Sequence, residues 1–462
     1  MLEEEFQTRQ KHNRQDNADG LQWVLLLASP FFIGLVFKIF PLDREFSIGV
    51  ILASLGSIAL LSLLPWRWRY APFAGGVLVL VLVISIPFWA LSSKGRTSGA
   101  PVRAVYSYKD AKANPEAFTK WWNFFVDEVV RTNQIIFERD HKGVPIRPKP
   151  NAKADFYKGN ISINNQGYRG DNLLHEKKHV YRILTIGDST TFGQTLFPDS
   201  RPWSAVLQDL ISRDLHCSMP IQVVNGGVNG YHLRNGIDRV ERDYAWLKPD
   251  MVVSYFGWNS TADMGVYPDV VPLTPLPTGA SRLDLITWFV KKTVVSIRGE
   301  VVAGFFRVFS MTSEKDTDAL MSKVRQGTLY RQHLELVEQS RRLGYKLLLL
   351  SFNAAVATDG PEEAKVFYEG AFPTVRTVIE LIRLHNLMIQ EIAAKADGVE
   401  FIDTGDHLYG RYDEDLFIDV VHFTTKGDAL MAANVLKGVR PLLLRESKLD
   451  CRAAGWKSND WK

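Results

Sequence analysis

Hydrophobic positions cluster in two ways along this chain. Over residues 1–91 they form three long apolar stretches, Leu21–Phe40, Ser47–Leu64 and Pro72–Leu91. Each is near the length that crosses a hydrocarbon core of about 30 Å. From Tyr181 onward they form short apolar runs at Tyr181–Ile186, Ile221–Val224, Met251–Phe256, Lys346–Ser351 and Val399–Ile402. Stretches of helical spacing lie between and after these runs, near Trp203–Arg213, Leu233–Trp246, Leu329–Leu343, Val375–Ala394 and Lys426–Leu444. This βα alternation predicts an α/β fold with a parallel sheet covered on both faces. Leu347-Leu348-Leu349-Leu350 fits it, because a strand buried on both sides reads as a continuous apolar run.

The long stretches predict about three transmembrane helices over 21–91. Trp23, Trp66, Trp68, Tyr70 and Trp89 sit at their ends as interfacial aromatics do, and Lys38 is placed to snorkel. A cleaved signal peptide fits poorly, because the charged segment Met1–Gly20 precedes the first stretch and two more follow it. Arg9, Lys11 and Arg14 before the first span, with Arg67 and Arg69 between the second and third, outweigh Arg44 on the other side. The positive-inside bias then makes 1–20 a cytoplasmic tail and exports everything after Leu91, although Lys94, Arg96 and Arg103 run against it. The expected localisation is the inner or plasma membrane, multi-pass, with the α/β domain periplasmic or extracellular.

Residues 92–159 read as a linker followed by a packing helix over Phe118–Arg139, whose Trp121, Trp122, Phe124, Phe125, Val129 and Ile135 recur at helical spacing. Ile161–Gly170 reads as a short strand and turn. The α/β domain is expected over 160–445, with an insertion at about 262–325 and a C-terminal tail at 446–462. The insertion opens with proline-rich Tyr267–Thr278. It continues through Ser281–Met311 as an inserted helical pair, or as a lid or interfacial helix carrying Lys291, Lys292, Arg298 and Arg307.

Composition narrows the classes further. A hydrophobic content of 46% over 462 residues allows a large core. A net charge of +4 without a basic stripe points away from nucleic acid as a partner. Cys217 and Cys451 match no metal spacing and read equally as one disulfide or as two free thiols.

The chemistry lies at the ends of the short strands. Gly187-Asp188-Ser189 follows the first and precedes Thr190-Thr191-Phe192-Gly193, which places Ser189 on a tight strand-to-helix turn. A serine hydroxyl needs a base to become a nucleophile. Asp419-Val420-Val421-His422 supplies one: His422 as general base and acid, and Asp419 to hold its tautomer. An oxyanion needs donors fixed in advance. Asn225-Gly226-Gly227-Val228-Asn229-Gly230 follows the second strand and Gly257-Trp258-Asn259 the third, so backbone N–H groups and the Asn259 amide are the candidates.

The order of these segments resembles the four blocks of the SGNH (GDSL-like) hydrolase superfamily, centred on Ser, Gly, Asn and His. The resemblance covers roughly 160–442, including the lead-in Ile163-Asn164-Asn165-Gln166-Gly167-Tyr168-Arg169-Gly170. It implies a three-layer αβα sandwich of SGNH/flavodoxin-like type. It also implies Ser189 as nucleophile, Asp419 and His422 completing the triad, and an oxyanion hole of Ser189 N–H, Gly230 N–H and the Asn259 amide, with no metal or cofactor. One departure stands out: Ser260 occupies the place of an Asp thought to support the third loop. The expected function is a membrane-anchored serine esterase removing small acyl groups, acetyl among them, from a surface carbohydrate or small ester. An O-acyltransferase working with a membrane acyl-transfer partner and a non-catalytic envelope scaffold are the alternatives.

Overall fold

The computed structural model describes residues 108–140, 144–173, 177–193, 201–266, 317–369 and 375–454. The chain divides into two units, and all described residues belong to the second, Pro101–Lys462. The three apolar stretches, the segment preceding them and the amphipathic part of the insertion lie outside the described residues. Among the described residues no helix is long and apolar enough to cross a membrane.

Two helices come first, α1 (Tyr108–Ala113) and α2 (Pro115–Ile136). The second starts at a strong signal: the Asn114 side chain accepts from Ala117 N–H at 3.1 Å, and Pro115 sits at the first helical position. Two expectations are corrected here. Part of the expected linker is helical, as α1, and the packing helix stops at Ile136 rather than Arg139. Phe137 turns extended, and β1 (Phe137–Arg139) pairs antiparallel with β2 (Ile146–Pro148). Backbone pairing overrides helical periodicity over those last residues. A hairpin of β3 (Lys153–Phe156) and β4 (Gly159–Ser162) follows.

The rest of the chain winds one sheet. In order come β5 (Tyr181–Gly187), α3 (Ser189–Phe192), α4 (Trp203–Asp214), β6 (Leu215–His216), β7 (Ile221–Asn225), α5 (Leu233–Leu247) and β8 (Met251–Tyr255). After a 3₁₀ turn at Ser260–Met264 come α6 (Thr317–Gln326), α7 (Thr328–Leu343), β9 (Lys346–Leu350), α8 (Glu362–Glu369) and α9 (Val375–Lys395). The last elements are β10 (Val399–Ile402), α10 (Thr425–Leu444) and β11 (Arg452–Ala453). The five predicted strands coincide with β5, β7, β8, β9 and β10 to within a residue at each end.

These strands form one parallel sheet in the order β7-β5-β8-β9-β10. Every residue of β5 and β8 is buried, as central parallel strands require. Helix α4 packs on α10, and α7 packs on both α5 and α9. Right-handed crossovers put these two groups on opposite faces of the sheet. The strand order reverses direction at β5, and in such sheets the crevice beyond the carboxyl ends at that point is where ligands bind.

The chain's end corrects a further expectation. Residues 446–454 are not a free tail: β11 pairs with β6, and Cys451 is disulfide-bonded to Cys217 across 234 residues of sequence. Of the two readings of the cysteines, the structure has the disulfide.

Candidate active site

Ser189 stands where β5 ends and α3 begins. Asp188 is the N-cap: its Oδ1 accepts from Thr190 N–H at 2.9 Å and from the Thr190 hydroxyl at 2.7 Å. That holds the first turn tight and leaves Ser189 part-exposed between the fully buried Asp188 and Thr190. Gly227 fixes the turn from the other side. A Cβ there would lie 2.3 Å from Phe192 N and 2.7 Å from Thr191 C, so only glycine lets the two loops approach so closely. The Asn225 side chain closes the contact, donating to Thr191 O at 2.9 Å and accepting from Gly227 N–H at 2.9 Å. The glycines of the second block were expected to bring N–H groups toward a substrate; at Gly227 the glycine instead seats the nucleophile's own helix.

His422 arrives from the far end of the sequence. Its loop is a narrow turn, with Phe417 bridged to Phe423 and Ile418 N–H donating to His422 O at 2.7 Å. Asp419 fills the turn: Oδ1 accepts from Val421 N–H and His422 N–H, both at 2.8 Å, while Oδ2 lies 2.6 Å from His422 Nδ1. An ionised carboxylate only accepts, so Nδ1 carries the proton and Nε2 presents its lone pair. That lone pair faces Ser189 Oγ at 2.8 Å across 233 residues of sequence. The structure therefore brings Ser189, His422 and Asp419 into one hydrogen-bonded line.

Electrostatics follow from burial and neighbours. Burial alone would push the His422 pKa down, but the charge and hydrogen bond of Asp419, with Asp188 and Asp428 nearby, outweigh it and leave it raised. Burial would raise the Asp419 carboxyl, yet His422 and the backbone N–H bonds hold it below the usual carboxylate range. Asp188 is pushed up by burial against its bonds to Thr190, and Asp428 is pushed well up in the same way. Asp428 accepts from Trp203 N–H at 2.9 Å and feels Arg169, whose guanidinium lies 4.7 Å from the Phe192 ring centroid.

The candidate oxyanion donors come from three loops, and one of them, the Asn259 amide, stands beside Asp188. Ser189 N–H opens a helix, where first-turn N–H groups lack intrahelical acceptors. Gly230 has a φ of 76°, a left-handed conformation that suits glycine and turns the chain before Tyr231. The Asn259 amide nitrogen stands 3.5 Å from Asp188 Oδ2 and 3.4 Å from Tyr231 O. Both contacts are long, so the amide is held only loosely and can turn to a better acceptor.

Several further residues support these loops. Ser260, which replaces the usual Asp of the third block, is fully buried, and its hydroxyl accepts from Leu233 N–H at 2.9 Å. It thus ties the Asn259 loop to the start of α5 and takes up one of the unpaired N–H groups there. His232 Nδ1 lies 3.1 Å from Asp263 Oδ2 beside the same loop, and the Asn229 amide donates to Asn133 of α2 at 2.8 Å. The departure noted at Ser260 thus keeps a supporting role, since a hydroxyl accepts where a carboxylate would. The Asn229–Asn133 and His232–Asp263 pairs depend on tertiary placement alone. Among the described residues no group of three or more His, Cys, Asp or Glu is arranged to hold a metal ion.

A serine with an aligned base at the switch point of a parallel αβα sheet defines a nucleophilic hydrolase site, and comparison with known proteins gives it a family. Residues 185–430, more than half of the chain, match the GDSL-like Lipase/Acylhydrolase family. The chain belongs to that family and is a serine hydrolase acting on ester bonds. None of the curated proteins compared matches it. Among solved structures it is similar to a lipase/acylhydrolase from Enterococcus faecalis (16% identity, 57% of this chain and 96% of that one, TM-score 0.33). It is also similar to a catalytic mutant of an acetylxylan esterase from Geobacillus stearothermophilus (18%, 56% and 94%, 0.32). A third is a GDSL-like lipase from Bacteroides thetaiotaomicron (16%, 59% and 93%, 0.31). Family membership rests on the domain match.

Proposed function

We propose that the protein removes small acyl groups, such as acetyl, from hydroxyls of a carbohydrate or similarly polar alcohol outside the cytoplasm. The observation that carries this reading is the line from Asp419 through His422 to Ser189, with contacts of 2.6 and 2.8 Å. Ser189 Oγ attacks the ester carbonyl carbon as its proton passes to His422 Nε2. The oxyanion forms against Ser189 N–H, Gly230 N–H and the Asn259 amide. His422 then protonates the leaving alcohol, and water releases the acyl group by the same steps in reverse order of partners. Asp419 keeps Nδ1 protonated and offsets the imidazolium charge throughout.

A small acyl group fits what surrounds Ser189. Polar side chains on the donor loops support that reading: Asn259 stands beside Asp188, and His232 beside Asp263. Two observations support placement outside the cytoplasm: the Cys217–Cys451 disulfide, a bond that persists in oxidising compartments, and the three membrane-length stretches before Leu91. The anchor would hold the catalytic domain on the periplasmic or extracellular face of the inner or plasma membrane.

The test uses the full chain in detergent. A fluorophosphonate probe should label the wild type and not Ser189→Ala, and the wild type should release acetate from acetylated oligosaccharides in water. Acetate transferred to an added oligosaccharide acceptor as the main product would replace hydrolysis with acyl transfer. Absence of labelling in correctly folded protein would overturn the catalytic reading altogether.

A further inference from the structure

A cleft of about 420 Å³ lies apart from Ser189, within the range of about 300–1,000 Å³ typical of small-molecule sites. Its walls are the end of α5 (Arg242, Asp243 and Trp246) and the lead-in loop with its flank (Arg147, Asn165 and Gln166). None of the residues that touch Ser189 or His422 belongs to it. Helix α5 is 15 residues long and begins beside the candidate oxyanion loops, so its far end stands about 20 Å from them.

We infer that this cleft is a second binding site, for a sugar unit of a neutral carbohydrate chain. Three observations point to that chemistry. First, Trp246 is 43% exposed and lines the cleft. Its ring is set in place by the buried Tyr168, edge-on with centroids 5.8 Å apart. Tyr168 is fixed in turn by donating its hydroxyl to Asp243 at 2.6 Å and by Arg239 over its ring at 4.2 Å. An indole held in place and exposed to this extent offers a platform for the C–H face of a pyranose ring.

Second, Gln166 presents a buried side-chain carbonyl oxygen with no hydrogen-bond partner. A buried acceptor without a donor is unfavourable, and a turn of the Gln166 amide toward the cleft would offer it to a ligand hydroxyl. Third, the cationic groups in the wall are already matched. Arg147 Nε donates to Glu138 at 2.8 Å, while Arg242 is forked onto Asp243 at 2.8 Å and also bonds Asp140. A wall of paired charges offers planar hydrogen-bonding edges without a net field, which selects neutral hydroxyl-rich ligands over anions.

The site rests on the carbohydrate reading proposed above and extends it: a polymer lying along α5 would reach the nucleophile at one end and Trp246 at the other. Linking two weak contacts through one chain raises the affinity for the polymer without altering chemistry on a short substrate.

The experiment titrates the full chain, in a Ser189→Ala background that prevents turnover, with neutral xylo-, cello- and chito-oligosaccharides and with acidic uronic-acid oligosaccharides by calorimetry. Binding of at least one series is expected. Trp246→Ala should weaken that binding about thirtyfold or abolish it, as loss of an aromatic anchor does, while Trp246→Phe should retain much of it. In the otherwise native protein, Trp246→Ala should leave turnover of a small chromogenic acetyl ester unchanged. No binding by any neutral series, undiminished binding by Trp246→Ala, or tighter binding of acidic than of neutral oligosaccharides would each overturn the inference. Failure of the hydrolase reading would look different: oligosaccharide binding intact, with no ester turnover by the wild type.

Discussion

Replacing Asp419 by Asn tests the chemistry with little disturbance of the fold. The substituted side chain can keep its oxygen on Val421 N–H and His422 N–H, both bonded at 2.8 Å in the native protein. Alanine would strand those two buried donors at about 1–3 kcal/mol each, which is why Asn is the better probe. What changes is the 2.6 Å contact to His422 Nδ1. An amide NH₂ there donates, so the imidazole must carry its proton on Nε2, facing a Ser189 hydroxyl that needs an acceptor. The wrong tautomer in such a triad lowers kcat by about 10⁴, equivalent to about 5.5 kcal/mol of barrier.

The pH profile adds a second readout. His422 must be neutral to act as base, so kcat/KM rises with pH through its pKa, which is raised above the ordinary 6.5 largely by Asp419. The residual activity of Asp419→Asn should therefore show its acid limb at lower pH than the wild type. The raised pKa has a stability counterpart. Protonated His422 favours the fold fully below about 6.5, and that contribution is lost as pH rises through the folded-state value. The assay is hydrolysis of a chromogenic acetyl ester across pH, with circular dichroism to verify folding. A folded Asp419→Asn enzyme within tenfold of the wild type, with an unmoved acid limb, would refute the assignment.

The other predictions concern the surroundings of the nucleophile and the disulfide. Asn259→Ala should lower kcat by about 10²–10³ with KM little changed, as loss of one oxyanion donor does; unchanged kcat would remove Asn259 from the hole. Gly227→Ala should displace α3, since the added Cβ would lie 2.3 Å from Phe192 N; the expected result is loss of fluorophosphonate labelling together with a lower Tm. Cutting the Cys217–Cys451 bond, by reductant or a double Ser substitution, frees a 234-residue span. The loop-entropy argument puts that cost on the order of 5 kcal/mol, and thermal melts with and without reductant would measure it.

Much of this protein is legible in its sequence, for a local reason. Strands buried on both faces are largely apolar, and the helices covering them must be amphipathic, so β5, β7, β8, β9 and β10 and the main helices appear as alternating patterns. Gly187-Asp188-Ser189 and Asp419-Val420-Val421-His422 are legible because each turn is built by its own residues: Asp188 caps α3, and Asp419 caps the His422 loop. Short-range hydrogen bonds of that kind leave a short-range signature.

Only the folded chain decides what depends on partners distant in sequence. The 2.8 Å contact between residues 189 and 422 exists because β5 lies at the sheet's switch point and α10 packs back on α4, bringing the last loop over the first. The pairing of Cys217 with Cys451, the seating of Phe192 against Gly227, and the hydroxyl of Ser260 standing in for a carboxylate are of the same kind. The end of α2 at Ile136 belongs with them, since a three-residue pairing with β2 outweighs the helical pattern that continues to Arg139. Periodicity records which face of an element meets the core; it holds no record of which other element waits there.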